Sequence, residues 1–251
     1  MERPKPKMRT MSHSVPAFKL NDFPSDLPYK ISEQLVYIMS TRGSSDVQGS
    51  EWEKIFAEAI GAKWSYHPVG LDDIILGNTA WGAKSVKLEN PAKVKTVRLI
   101  SGRNDLQYAY DGHRIKPGET DPDETGALVL DIFNSKVSKV RETHEHLRTV
   151  VLIRSGDLTE IVIFEFETIR YDPELFYWKW NKGRNLQGYF KRNNEHKFAW
   201  QSGGTQFTII ENVPAQNIHV KLKSPELLDK KEFIKKLGFD KSWVIVTKKG
   251  W

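Results

Sequence analysis

Leu71-Asp72-Asp73-Ile74-Ile75-Leu76-Gly77-Asn78-Thr79-Ala80-Trp81-Gly82-Ala83-Lys84-Ser85-Val86-Lys87 is the stretch on which the reading of this chain turns. Gly77-Asn78, set between two apolar runs, is a two-residue hairpin signal. Such a turn pairs Leu76 with Thr79, Ile75 with Ala80 and Asp73 with Gly82. Residues two apart on a strand share a face, so Lys84 points to the same side as Gly82. Asp73 and Lys84 therefore meet at one end of the hairpin. An acidic residue ahead of a buried apolar run does little for a strand, but it is a rigid mount for a metal-binding carboxylate.

Upstream, Ser50–Gly61 reads as a short helix. Trp52, Ile55, Phe56, Ala59 and Ile60 repeat at helical spacing, Ser50 can cap the start, and Gly61 stops it. Glu53 falls on the edge of that buried stripe, where it either turns inward or stays a solvated acid near the helix N-terminus. Strands are expected over Lys63–Val69, Leu71–Leu76, Thr79–Leu88 and Val94–Ile100, with a loop over Gly112–Thr125. Leu130, Phe133, Val137, Val140, His144 and Leu147 predict a long helix, followed by strands at Thr149–Arg154 and Glu160–Ile169. The order predicts an α/β (α+β) fold: a central mixed sheet with helices on its faces.

These residues resemble the PD-(D/E)xK nuclease superfamily, which contains most type II restriction endonucleases. Glu53 matches the family's helix acid, Asp73-Ile74-Ile75 its catalytic Asp and strand, and Lys84-Ser85 its final Lys with a small hydroxyl residue. The resemblance covers roughly residues 45–170 and departs at Gly82, where the second carboxylate belongs. Glu53 is the first choice to supply that acid and Asp72 the second. An alternative register uses Ser85-Val86-Lys87, with Lys87 as the catalytic lysine. The resemblance implies Mg²⁺ held by Asp73 with Glu53 or Asp72, and a lysine that orients or deprotonates the attacking water. It also implies double-stranded DNA as substrate, cleavage of the P–O3′ bond and a homodimer acting on two-fold sites. A nicking or repair nuclease of the same superfamily and a non-catalytic DNA-binding protein are the alternatives.

The wider composition agrees with an anionic partner. Among 251 residues, Lys and Arg number 38 against 32 Asp and Glu, a formal charge of +6. With no cysteine, disulfide scaffolds, thiol catalysis and cysteine-held zinc are excluded. No apolar run reaches the roughly 20 residues that span a bilayer, and residues 1–7 lack a signal-peptide core, so a cytoplasmic protein is expected. Residues 1–28 read as a basic flexible arm and 29–251 as a single domain, with DNA-recognition elements over about 171–251. Phe176–Trp200 mixes aromatics with cations, and a hairpin is expected over Phe198–Ile210 around Gly203-Gly204. Lys182, Arg184, Asn185, Gln187, Lys191, Arg192, Gln201 and Gln206 have the chemistry to read DNA, as do Arg103 and Asn104. A short helix is expected to open at Ser224-Pro225-Glu226 and close at Gly238.

Three other signals are set aside. Gly77–Ser85 nearly spells a P-loop, but Ala83 is an extra residue before the Lys and Pro91 comes too early for the required helix, so no nucleotide cofactor is expected. His144 and His146, two apart on the expected helix, would diverge rather than share a metal, and His144 reads as a core histidine. Asp121–Glu124 lacks calcium-loop spacing and reads as capping charge.

Overall fold

The computed structural model describes residues 15–43, 45–65, 70–112 and 115–247. Helices α1 (Leu27–Arg42) and α2 (Gly49–Ile60) form the first layer. Leu27, Ile31, Leu35, Ile38 and Met39 line one buried face of α1, which ends at Gly43 with φ 61°. A reciprocal capping box between Gln48 and Glu51 starts α2, and Gly61 (φ 68°) ends it.

The middle layer is a six-stranded mixed sheet. In chain order its strands are β1 (Lys63–Trp64), β2 (Ile74–Leu76), β3 (Thr79–Lys87), and, after β4 (Thr96–Arg103), short α3 (Leu106–Ala109) and α4 (Pro122–Arg141), β5 (His146–Arg154) and β6 (Glu160–Glu167). The sheet runs β1-β2-β3-β5-β6, with only β3 and β5 parallel, and a last strand completes it beside β6. The chain first builds a second, antiparallel sheet from β7 (Phe176–Trp180), β8 (Leu186–Phe190), β9 (His196–Gln201) and β10 (Gln206–Asn212), in the order β4-β10-β9-β8-β7. It then returns as β11 (Ile218–Lys221) to pair with β6.

Strand alternation sends alternate residues to two cores. Trp81, Ala83, Val150 and Leu152 face α1 and α2. On the opposite face, Ala80 and Leu147 share one core with Leu130, Phe133 and Val137 of α4 and with Phe198, Trp200 and Phe207 of the second sheet. Val97 and Leu99 of β4 lie on Val151, Ile153 and Phe164. A mixed sheet with helices on both faces is the α/β (α+β) architecture expected. No helix of the described residues is long and apolar enough to cross a membrane.

Several expectations are corrected. Residues 1–14 of the supposed arm lie outside the described residues, but the remainder is docked. Phe18 stacks on Trp81, and Asn21 exchanges hydrogen bonds with Glu165. The long helix ends at Arg141, so His144 lies in a partly exposed turn, and His146 and Leu147 open β5. Strand pairing of His146 with Thr79 outweighs the helical periodicity that Leu147 continues by coincidence. That helix begins at Pro122, inside the segment expected as loop, with the Asp121 side chain capping Glu124 N–H at 2.8 Å. The strand expected over Lys63–Val69 is two residues long as described, and Tyr66–Val69 lie outside the described residues. The final helix, α5 (Lys230–Lys236), starts six residues later than expected.

Packing between α4 and the second sheet is tight at one point. A Cβ on Gly126 would sit 2.3 Å from the Trp178 indole, and one on Gly188 would sit 2.8 Å from the same ring. Gly126→Ala should therefore cost about 1–3 kcal/mol, read as a lower urea midpoint with unchanged slope. An unchanged midpoint would show that this layer contact is not close-packed.

Candidate functional site

The hairpin ladder sets the site. Ile74 pairs with Trp81, Ile75 with Ala80 and Leu76 with Thr79, and Gly77 has φ 60°, which a two-residue turn with glycine first requires. Continued one step beyond the ladder, that register would set Asp73 opposite Gly82, with Lys84 diagonal to it. Such diagonal pairs stand about 7–8 Å apart. The three residues of β2 pair with the first three of the nine in β3, so the end of β3 that carries Lys84 runs on beyond the ladder.

Asp73 is buried, at 4% exposure, and its carbonyl accepts the Ser65 N–H at 2.8 Å, which ties the end of β2 to the chain leaving β1. Lys84 lines a small closed pocket with Leu99, Ser101, Phe133 and Thr149. Loss of hydration there pulls its pKa down, while the negative charges of Asp73 and Glu53 push it back up. Glu53 reaches the same place from α2. Its Oε2 accepts the Trp64 indole N–H at 3.1 Å, which orients the carboxylate. Burial raises the Glu53 pKa, the Trp64 bond and the Lys84 charge lower it, and repulsion from Asp73 raises it further. Glu53, Asp73 and Lys84 are thus one electrostatic unit assembled from a helix and two strands.

Gly82 has a physical reason. A Cβ there would stand 3.2 Å from the Gly70 carbonyl oxygen and 3.3 Å from Leu71 Cα. The backbone of 70–71 occupies the space that a side chain at 82 would need. A second acid cannot come from this position without displacing main chain, and Glu53 is the acid whose charge acts on Asp73's neighbour Lys84. Asp72 is also buried, but the charges acting on Lys84 are those of Asp73 and Glu53.

The alternative register is placed elsewhere. Ser85 and Lys87 lie an odd number of residues from Lys84, so alternation turns them to the α1/α2 face. There Lys87 is exposed, with its chain beside Gly156. Another buried acid, Glu165, is committed to structure: Arg148 pairs with it at 2.8 Å and Trp81 Nε1 donates to it at 2.6 Å.

Among the described residues, no group of three or more His, Cys, Asp or Glu could hold a metal ion. The donor set fits only a cation that accepts one or two carboxylates and keeps its own waters, which is magnesium's habit. Glu53 and Asp73 repel each other, and a divalent cation between them would relieve that repulsion.

One residue of the site was missed from sequence. Lys136 on α4 donates to Arg103 O at 2.6 Å and to Asn104 Oδ1 at 2.9 Å, and its pKa is lowered by burial and then by the Lys84 charge. On the sequence it is one lysine on a polar helix face. Only the packing of α4 across the sheet brings it near Lys84.

The expected DNA-reading set is divided. Asn104 is fully buried: its side chain donates to Val129 O at 2.9 Å and its carbonyl accepts the Trp200 indole N–H at 2.9 Å. It is a structural residue and cannot meet a base edge. Arg103 pairs with Gln206, and Gln201 with Gln206, at one end of the second sheet. Lys182, Arg184 and Asn185 form the β7–β8 turn at that same end, where Ser202 Oγ donates to Arg184 O at 3.1 Å. Lys191 and Arg192 sit in the β8–β9 turn at the other end, about 17 Å away by strand length. Gln187 lies between them, its side chain accepting from Tyr189 OH at 2.8 Å.

No family model matches the chain, and no curated protein or solved structure is significantly similar to it.

The raised Glu53 pKa has a direction in pH. The folded chain keeps this proton to higher pH than the unfolded chain, so stability falls as pH rises from the ordinary glutamate range through the raised value. In the absence of divalent cations at neutral pH, Glu53→Gln should raise the melting temperature by about 2 °C and flatten that fall. A lower melting temperature at neutral pH would mean that the carboxylate stabilises the metal-free fold.

Proposed function

We propose that this chain is a magnesium-dependent DNA phosphodiesterase of the PD-(D/E)xK type, with Asp73 and Glu53 as metal-binding acids and Lys84 as the catalytic lysine. The observation that carries this reading is a partly buried Lys84, beyond the short hairpin ladder, on which the charges of two separately anchored carboxylates act. Ionisable groups held partly out of water with specific charged partners cluster at functional sites.

Bound magnesium would supply charge neutralisation at the scissile phosphate and a more acidic water. The protein's part follows from its own groups. Asp73 is held by its burial and its backbone bond to Ser65, and Glu53 by Trp64, so neither has to reorganise as charge develops. Lys84 would orient the attacking water and stabilise the charge that builds on the phosphate oxygens. The attacking water adds to phosphorus as the P–O3′ bond breaks; the proton it loses passes to solvent, and the leaving oxygen takes one from solvent. Lys136 adds positive charge near the phosphate.

In its finer form the reading is a type II restriction endonuclease, cutting double-stranded DNA as a homodimer. A nicking or repair nuclease is the second reading, favoured by one observation: the candidate base-reading side chains fall at two ends of the second sheet rather than on one surface. Plasmid DNA with Mg²⁺ separates them, since restriction gives discrete bands and the rival gives nicked circles or a smear. Asp73→Ala and Lys84→Ala should each lose about 10²–10³-fold in rate, while Lys87→Ala stays within about threefold of wild type. Cleavage lost in Lys87→Ala and kept in Lys84→Ala would reverse the register. A wild-type chain that binds DNA and never cuts it would leave a binding protein.

A further inference from the structure

A cleft of about 850 Å³ opens between α3 and α4, within the size range of sites that take a nucleotide-sized ligand. It begins at Gly102, one residue beyond Ser101, which shares the closed pocket of Lys84. Lys136, on which the Lys84 charge acts, lines it with Arg103 and Lys139, three cations against the acids Asp105 and Asp131.

The aromatic side chains of this cleft differ in their commitments. Tyr110 is tied down, with its hydroxyl 2.8 Å from Asp131 Oδ2. Tyr108 is 89% exposed, although its backbone is rigidly placed: Asp105 Oδ1 accepts the Tyr108 N–H at 3.1 Å, and Asn104 just before it is locked in the core. An aromatic face held open on a fixed mount beside cations is the composition of a site that stacks a nucleobase and grips its phosphate. The faces of a paired base inside a duplex are already covered by its neighbours, so a ring can take one only after the base leaves the stack.

We propose that this cleft seats an unpaired nucleotide of the strand being cut, next to the scissile phosphate, with its base stacked on Tyr108 and its phosphates between Lys136 and Arg103. This rests on the nuclease reading and adds to it a preference for DNA that is, or can become, locally unpaired. Lys136 serves both the fold and the cleft: two of its three N–H groups fix the end of β4, and its side chain lines the cleft.

The test uses the full chain and two fluorescein-labelled duplexes, one fully paired and one with a single-nucleotide bulge, with Ca²⁺ in place of Mg²⁺. Fluorescence anisotropy should show the bulged duplex bound about tenfold more tightly, the order expected for one stacked base. Tyr108→Ala should abolish that preference without weakening the paired duplex, and Tyr108→Phe should keep it. Equal affinity of the wild type for both duplexes, or a preference that survives Tyr108→Ala, overturns the cleft assignment and leaves the nuclease reading standing. Failure of the wild type to bind either duplex overturns both.

Discussion

An ammonium held partly out of water needs negative charge near it, and Lys84 obtains it from two directions. Asp73 comes from the strand antiparallel to that of Lys84, and Glu53 from a helix packed on the other face of the sheet. The two acids in turn repel each other, so the cluster leaves Glu53 with a raised pKa. The hairpin turn at Gly77, the seating of α2 by Trp52 and Phe56, and the clamp of Trp64 on Glu53 all serve to hold these three groups together.

The absence of an acid at position 82 follows from the same geometry. Main chain from residues 70–71 passes close over Gly82 and takes the volume a side chain would use. A carboxylate from α2 reaches the charge cluster without passing through that crowded spot. A strand acid and a helix acid are therefore not equivalent solutions here, because only the helix leaves the backbone undisturbed.

What could be read from sequence was local. The Gly77-Asn78 turn fixes pairing within a few residues, so the ladder of Ile75 with Ala80 and Leu76 with Thr79 was legible, as was the capped, strongly periodic α2. Helix α1 was not recognised, although Leu27, Ile31 and Leu35 are regularly spaced, because exposed Tyr29 and Tyr37 blur its polar side. The second sheet was glimpsed only as aromatic crowding. Its hairpins send Lys182 and Lys191 to opposite ends, a separation that composition cannot reveal. Lys136 and Tyr108 were invisible for the same reason: their meaning comes from what packs beside them, not from their neighbours in the chain.

If Glu53 and Asp73 jointly attract one divalent cation beside Lys84, crystals of the protein soaked in Mn²⁺, which occupies magnesium sites and scatters anomalously, will show it. An anomalous peak is expected within bonding distance of both carboxylates, and none in crystals of Asp73→Asn. A peak at other residues with none between these two, or one that persists in Asp73→Asn, would rule out a shared cation.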